Sequence, residues 1–155
     1  MTTEAKKLTD SPGMKACESR YKQCLYFASS ALSRKVEKLA TECWQPAGLG
    51  PSHGYLLMVV IDEPGVQPSM LVEQLHLTPS TITRLIEKLE EKKLVVRTTE
   101  GKLTNVYPTP KGKDMLPLLK SCVQTFYQRS AAMLGHNDMQ QLVGNICQMT
   151  DQLEV

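Results

Sequence analysis

The sequence predicts a mainly α fold interrupted by one small β-hairpin, and three observations carry that prediction. Apolar residues recur at helical spacing through most of the 155 residues. Residues 94–110, "LVVRTTEGKLTNVYPTP", instead hold two β-prone runs, Leu94–Thr98 and Leu103–Tyr107, around a turn containing Gly101. Proline and glycine clusters cut the helical pattern into long segments at both ends and short ones in the middle.

The N-terminal residues 1–13 are polar, end in Ser11-Pro12-Gly13 and predict a disordered lead. A long helix is expected from about Cys17 to Cys43, with Tyr21, Cys24, Leu25, Ala28, Ala31, Leu32, Val36, Leu39 and Ala40 at helical spacing. "QPAGLGPSHG" breaks it. Tyr55–Ile61 follows as a short helix, apolar nearly all round and therefore expected to lie buried. Pro68 opens the next helix, with Met70, Leu71 and Leu75 directed inward.

A break around His76–Thr78 leads into "TPSTITRLIEKLEEKK". Thr78 suits the N-cap and Pro79 the first helical position, where a missing N–H costs nothing. Ile82, Leu85, Ile86 and Leu89 form one face; Ser80, Thr81, Thr83, Arg84 and Lys88 form the other. Two short helices joined by a tight turn make a helix-turn-helix, and the hairpin directly after it makes a winged helix.

Beyond the hairpin, Thr109-Pro110 starts a long helix carrying Met115, Leu116, Leu119, Cys122, Val123, Phe126 and Met133, with Pro117 either kinking it or delaying its start. Gly135 ends it. Asn137 is the expected cap of a final helix striped with Met139, Leu142, Val143, Ile146, Met149 and Leu153. The fold class is thus a winged helix-turn-helix flanked by long helices. Apolar stripes at both chain ends call for a partner, and pairing of two copies through the terminal helices satisfies them.

Composition narrows the function classes. The net charge is only +2, so total charge makes no case for nucleic acid. Its distribution does: residues 66–113 hold eight cations against five acids, while residues 114–155 hold two against four. No apolar run is long enough for a signal peptide or membrane span, which makes cytoplasmic placement the expectation. Five cysteines without a C-x-x-C pair argue against a secreted disulfide framework.

At "LVEQLHLTPSTITRLIEKLEEKKLVVRT", residues 71–98, followed by "YPTPKGKDM", the sequence resembles the MarR family of bacterial transcription regulators. The likeness in element order spans roughly residues 17–153. It implies one domain over residues 14–155, with the winged helix at about 51–108 and dimerisation helices at about 14–44 and 109–155. It further implies a homodimeric regulator or repressor, without enzymatic activity or cofactor, in which each subunit presents its winged helix to half of a palindromic operator in double-stranded DNA. A small-molecule effector or an oxidation event would modulate that binding. The wing departs from the family pattern, because its tip, "TTEGKLT", lacks the Asp-x-Arg pair whose arginine enters the minor groove. Phosphate contact is expected of it instead.

The candidate base contacts are Ser80, Thr81, Thr83 and Arg84, since recognition helices read bases mainly with their N-terminal residues. Lys88, Arg97 and Lys102 are expected to meet phosphates, and Gln67 and Ser69 could join them from the preceding helix. The same charged face would also suit a solvated amphipathic helix; the competing function is a winged-helix interaction module that has lost DNA binding, supported by the missing wing arginine and the near-neutral net charge.

The resemblance implies an effector cleft between the dimer helices and the winged-helix lobe. Phe27, Trp44, His53, Tyr55 and Met58 are its candidates from their places at the ends and faces of the first two helices, and the core is the stronger reading for each. It also includes a peroxide-sensing branch with a reactive cysteine near tyrosines, and Cys24 lies between Tyr21 and Tyr26. Cys24 is displaced by one residue from that branch's pattern ahead of "ASS", with Gln23 in the usual place. Plain packing is the stronger reading for it. Cys17 and Cys24, seven apart on an intact helix, could not bridge. His53, His76 and His136 show no metal-ligand spacing, and "GLGPSHG" misses the dinucleotide-binding glycine pattern.

Overall fold

A computed structural model describes residues 13–155. The expected disordered lead lies outside the described residues, apart from Gly13. The chain separates into two units, divided between Lys38 and Leu39.

In the first unit the helix starts later than the apolar spacing predicts. A 3-10 turn, Ala16–Glu18, is closed by the Lys15 N–H donating to Glu18 Oε2 at 2.9 Å. Helix α1 (Leu25–Trp44) begins only after a break. At that break Ser19 is extended, and its hydroxyl accepts the Tyr21 N–H at 3.1 Å. A serine that bonds the backbone two residues on offers it an alternative to helix. Cys17 and Cys24 therefore do not share a helix, and the spacing argument against bridging them loses its premise; both are free thiols. Phe27 is half-buried, its ring 6.0 Å from that of Tyr21, whereas Tyr21, Leu25, Tyr26, Leu32 and Val36 are exposed.

The second unit holds the end of α1 and then α2 (Pro51–Asp62), α3 (Pro68–Leu75), α4 (Pro79–Glu91), strands β1 (Val95–Glu100) and β2 (Leu103–Pro108), α5 (Pro110–Asp114), α6 (Leu116–Leu134) and α7 (His136–Gln152). Its core gathers Trp44 from α1, Leu56, Leu57 and Val60 from α2, Leu71 from α3, all four predicted residues of α4, Val95 and Val106 from the hairpin and Leu119 from α6. Met70, expected inward, is exposed: α3 has only eight residues, and Leu71 is the one it buries fully.

The hairpin is antiparallel, from Val95↔Pro108 to Glu100↔Leu103. Only Gly101 and Lys102 form its loop. Gly101, at the first central position with φ +64°, supplies the positive φ that a II′ turn needs there. Thr99 and Glu100 are thus strand residues, and the wing is longer than predicted. Val66 adds a bridge on the far side of β2, where Val106 N–H donates to Val66 O at 3.0 Å. That bridge ties the loop before α3 to the hairpin and was not visible in the sequence.

Pro117 ends in the second position of α6 after a one-residue break at Met115, so it delays the long helix. Asn137 does not cap α7. Gly135 (φ +86°) closes α6 through its N–H to Ala131 O, and α7 starts at once with His136, which puts Asn137 inside its first turn. Met139 is buried, but Val143, Ile146 and Met149 are exposed along α7, as is Leu153, which lies just past its end.

Candidate nucleic-acid interface

Helix α4 forms as its sequence dictates. Thr78 Oγ1 accepts the Thr81 N–H at 3.3 Å, which caps the helix, and Pro79 takes the first position. Ile82, Leu85, Ile86 and Leu89 are buried, which leaves Ser80, Thr83, Arg84 and Lys88 facing outward. The turn before the helix relies on His76, whose left-handed conformation (φ 51°) ends α3 with its N–H on Val72 O. A left-handed histidine is not announced by sequence.

Hydrogen bonding distinguishes the outward residues. Thr81 is half-buried and its hydroxyl meets Thr78 Oγ1 at 2.8 Å, so it serves the cap. Ser80 Oγ is 3.2 Å from the same Thr78 oxygen. Thr83 donates its hydroxyl hydrogen to Pro79 O at 3.0 Å and keeps its lone pairs outward. Arg84 makes no side-chain hydrogen bond or ion pair among the described residues, which leaves all its donors available.

The cations expected at phosphates differ in the same way. Lys88 Nζ sits 2.9 Å from Glu91 Oε2, but both are well exposed, and such a pair holds weakly. It lowers the Glu91 carboxyl pKa through that hydrogen bond first and then through charge. Arg97 is tied more firmly. Its Nη2 donates to Glu90 Oε2 at 2.6 Å, and its backbone N–H donates to Glu90 Oε1 at 3.1 Å. The hydrogen bond to Glu90 raises the guanidinium pKa further. Arg97 is thus already engaged by a carboxylate of its own chain. Lys102 lies exposed in the hairpin loop with no ion pair among the described residues.

Gln67 is the N-cap residue of α3, half-buried, and caps with its backbone alone; Ser69 is exposed one residue after Pro68. A basic neighbourhood that sequence reasoning missed surrounds His53. Burial lowers the imidazole pKa, and the Lys88 and Lys92 charges lower it further. Lys111 Nζ donates to Lys92 O at 2.9 Å at the end of α4.

Of the ligand candidates in the second unit, Trp44 is fully enclosed, its ring 5.2 Å from Tyr55, and belongs to the core. That corrects its assignment to a cleft. Met58 packs against the same core, while His53 and Tyr55 keep partial exposure; burial raises the Tyr55 phenol pKa. Cys24 is exposed ahead of α1, so plain packing within this chain does not describe it. Cys43 and Cys122 are the buried thiols, and burial pushes the Cys122 pKa up.

Two helices at a tight turn, an outward polar face on the second and an antiparallel hairpin directly after it define a winged helix-turn-helix protein. Residues 47–102, which contain these elements up to the hairpin loop, match the model of the MarR family. Over this segment the chain is similar to the MarR family of transcription regulators. It is 29% identical over 107 residues, 67% of this chain and 71% of the relative, to the HTH-type transcriptional regulator SarZ of Staphylococcus epidermidis. Its fold is similar to that of CouR from Rhodococcus jostii bound to p-coumaroyl-CoA (TM-score 0.72, 22% identity, 88% of this chain and 99% of that one). It is also similar to MepR of S. aureus in a complex with DNA (TM-score 0.71, 19% identity, 83% and 98%). SarZ is described as a transcriptional regulator and CouR as a transcriptional repressor, in keeping with the expectation of a non-enzyme. No helix among the described residues is long and apolar enough to cross a membrane.

Proposed function

We propose that this protein binds double-stranded DNA as a homodimer and regulates transcription from a palindromic operator. One observation carries the DNA reading: α4 buries its whole apolar face and turns Ser80, Thr83, Arg84 and Lys88 outward beside a hairpin with Lys102 at its tip. Arg84, without a side-chain partner among the described residues, suits a bidentate contact to guanine, the commonest specific major-groove contact. The MepR complex with DNA supports the reading through fold.

Dimerisation rests on the exposed apolar residues of the terminal helices. Val143, Ile146 and Met149 recur at helical spacing on α7, with Leu153 just past its end, and Leu25, Leu32 and Val36 do so on α1. A second copy covers such stripes and sets two recognition helices about one turn of duplex, roughly 34 Å, apart. A small ligand that favours one spacing over another then changes operator affinity. The ligand-bound CouR structure supports an effector, for which His53, Tyr55 and Met58 remain the candidate residues and Phe27 a further one. Oxidation of the exposed Cys24 is the second route to the same change.

The test is a titration of a mixed-sequence duplex at several salt concentrations, with reduced and with peroxide-treated protein. Affinity that falls steeply with salt is expected, because neutralised phosphates release counterions. A further loss on oxidation that Cys24→Ser removes assigns the redox route to that thiol. Absence of binding at low salt overturns the DNA reading in favour of a protein-interaction module. Ile146→Glu should give a monomer in sedimentation, and an intact dimer would exclude the α7 stripe as the interface.

A further inference from the structure

Helix α4 and the hairpin are separated by only three residues, 92–94, and one carboxylate spans the joint. Both oxygens of Glu90 engage Arg97, one through its guanidinium and one through its main chain. A surface ion pair between two long side chains fixes little, since each swings about several bonds. A main-chain anchor differs, because it holds β1 itself.

The position of the anchor matters. Arg97 pairs with Val106, which is fully buried and bridged to Val66 on its other side. The inner half of the hairpin is therefore held by sheet and core. Beyond Arg97, residues 98–103 are all exposed. Glu90 grips the hairpin where its support from the core ends.

We propose that Glu90 is a positioning residue for duplex recognition: it fixes the hairpin's angle to α4, so that Arg84 and Lys102 meet the duplex at one set separation. Arg97 then acts as a strut and not as a phosphate contact. The inference rests on the DNA-binding reading above.

The experiment compares the full chain with Glu90→Ala, Glu90→Gln, Arg97→Ala and Lys102→Ala. Two duplexes serve as probes, one selected from a random library by the wild-type protein and one of mixed sequence. Amide hydrogen exchange of the hairpin is followed without DNA. Glu90→Ala should speed exchange at residues 98–103 and weaken the selected duplex by roughly tenfold, the size of one specific contact. Mixed-sequence affinity should hold or rise, because a carboxylate is lost and Arg97 is released toward phosphate. Glu90→Gln keeps an acceptor for the Arg97 N–H and should recover part of the selectivity. A loss of fold alone would lower both affinities together.

Unchanged exchange and an unchanged ratio of the two affinities in Glu90→Ala overturn the proposal. So does an Arg97→Ala variant that loses as much mixed-sequence affinity as Lys102→Ala. Wild-type protein that binds neither duplex overturns the DNA reading, and this role with it.

Discussion

The indole of Trp44 lies against the backbone of Gly54: a Cβ placed on residue 54 would stand 2.0 Å from Trp44 Cζ3 and 2.6 Å from Cε3. The end of α1 and the first turn of α2 approach this closely because residue 54 has no side chain. Trp44 is fully enclosed and cannot swing into solvent to relieve an added methyl. Overpacking of this kind costs about 1–3 kcal/mol. Gly54→Ala should lower the urea midpoint accordingly, followed by the fluorescence of the single tryptophan. An unchanged midpoint would mean that the two helices part there without penalty.

Lys93 offers the opposite opportunity. It leaves α4 in a left-handed conformation, φ 61°. Its N–H meets Glu90 O at 2.8 Å and the next N–H, of Leu94, meets Leu89 O at 2.9 Å. This is the Schellman arrangement, in which glycine is the usual residue at the position Lys93 holds. A left-handed L-residue costs roughly 1–2 kcal/mol, part of which glycine gives back as backbone entropy. Lys93→Gly should therefore raise the urea midpoint, by about 1 kcal/mol or less of stability. A lower midpoint would show that the lysine side chain contributes more than its backbone strain removes.

The cations of the interface should separate by their present partners. Arg84→Ala should cost about 1–3 kcal/mol at the selected duplex and relax selectivity at one base position. Lys102→Ala should weaken all sequences alike and reduce the salt slope by about one. Lys88→Ala should do less than either, since Glu91 already competes for that ammonium group. Binding-site selection with each variant measures the first effect and salt titration the other two. Equal losses for all three would reduce the interface to charge alone.

The lowered His53 pKa makes stability depend on pH. Burial first, then Lys88 and Lys92, disfavour the imidazolium, so the folded pKa lies below the ordinary 6.5. The unfolded chain then binds the proton more readily, and stability is full above about 6.5 and falls as pH drops through the folded pKa. His53→Gln should flatten that loss in urea unfolding across this range. Lys88→Ala should move the imidazole titration upward, read by NMR. An imidazole that titrates at or above 6.5 in the folded chain would contradict this account.

The sequence by itself determined the elements whose signals are local. Thr78-Pro79 fixed the start of α4, since cap and first-turn preferences depend on neighbouring residues only. The spacing of Ile82, Leu85, Ile86 and Leu89 fixed which face is buried, and Gly101 fixed the hairpin turn. The start of α1 was less legible, because apolar spacing through Tyr21 and Cys24 continues across a backbone that Ser19 has turned aside. Tertiary structure alone decided what rests on residues distant in sequence or on long side chains free to choose partners. Val66 joins β2 from forty residues upstream, Trp44 closes over Gly54, and Glu90 claims Arg97 while Arg84 has no partner among the described residues. Composition counts those two arginines alike; only the folded chain brings a carboxylate to one and leaves the other exposed.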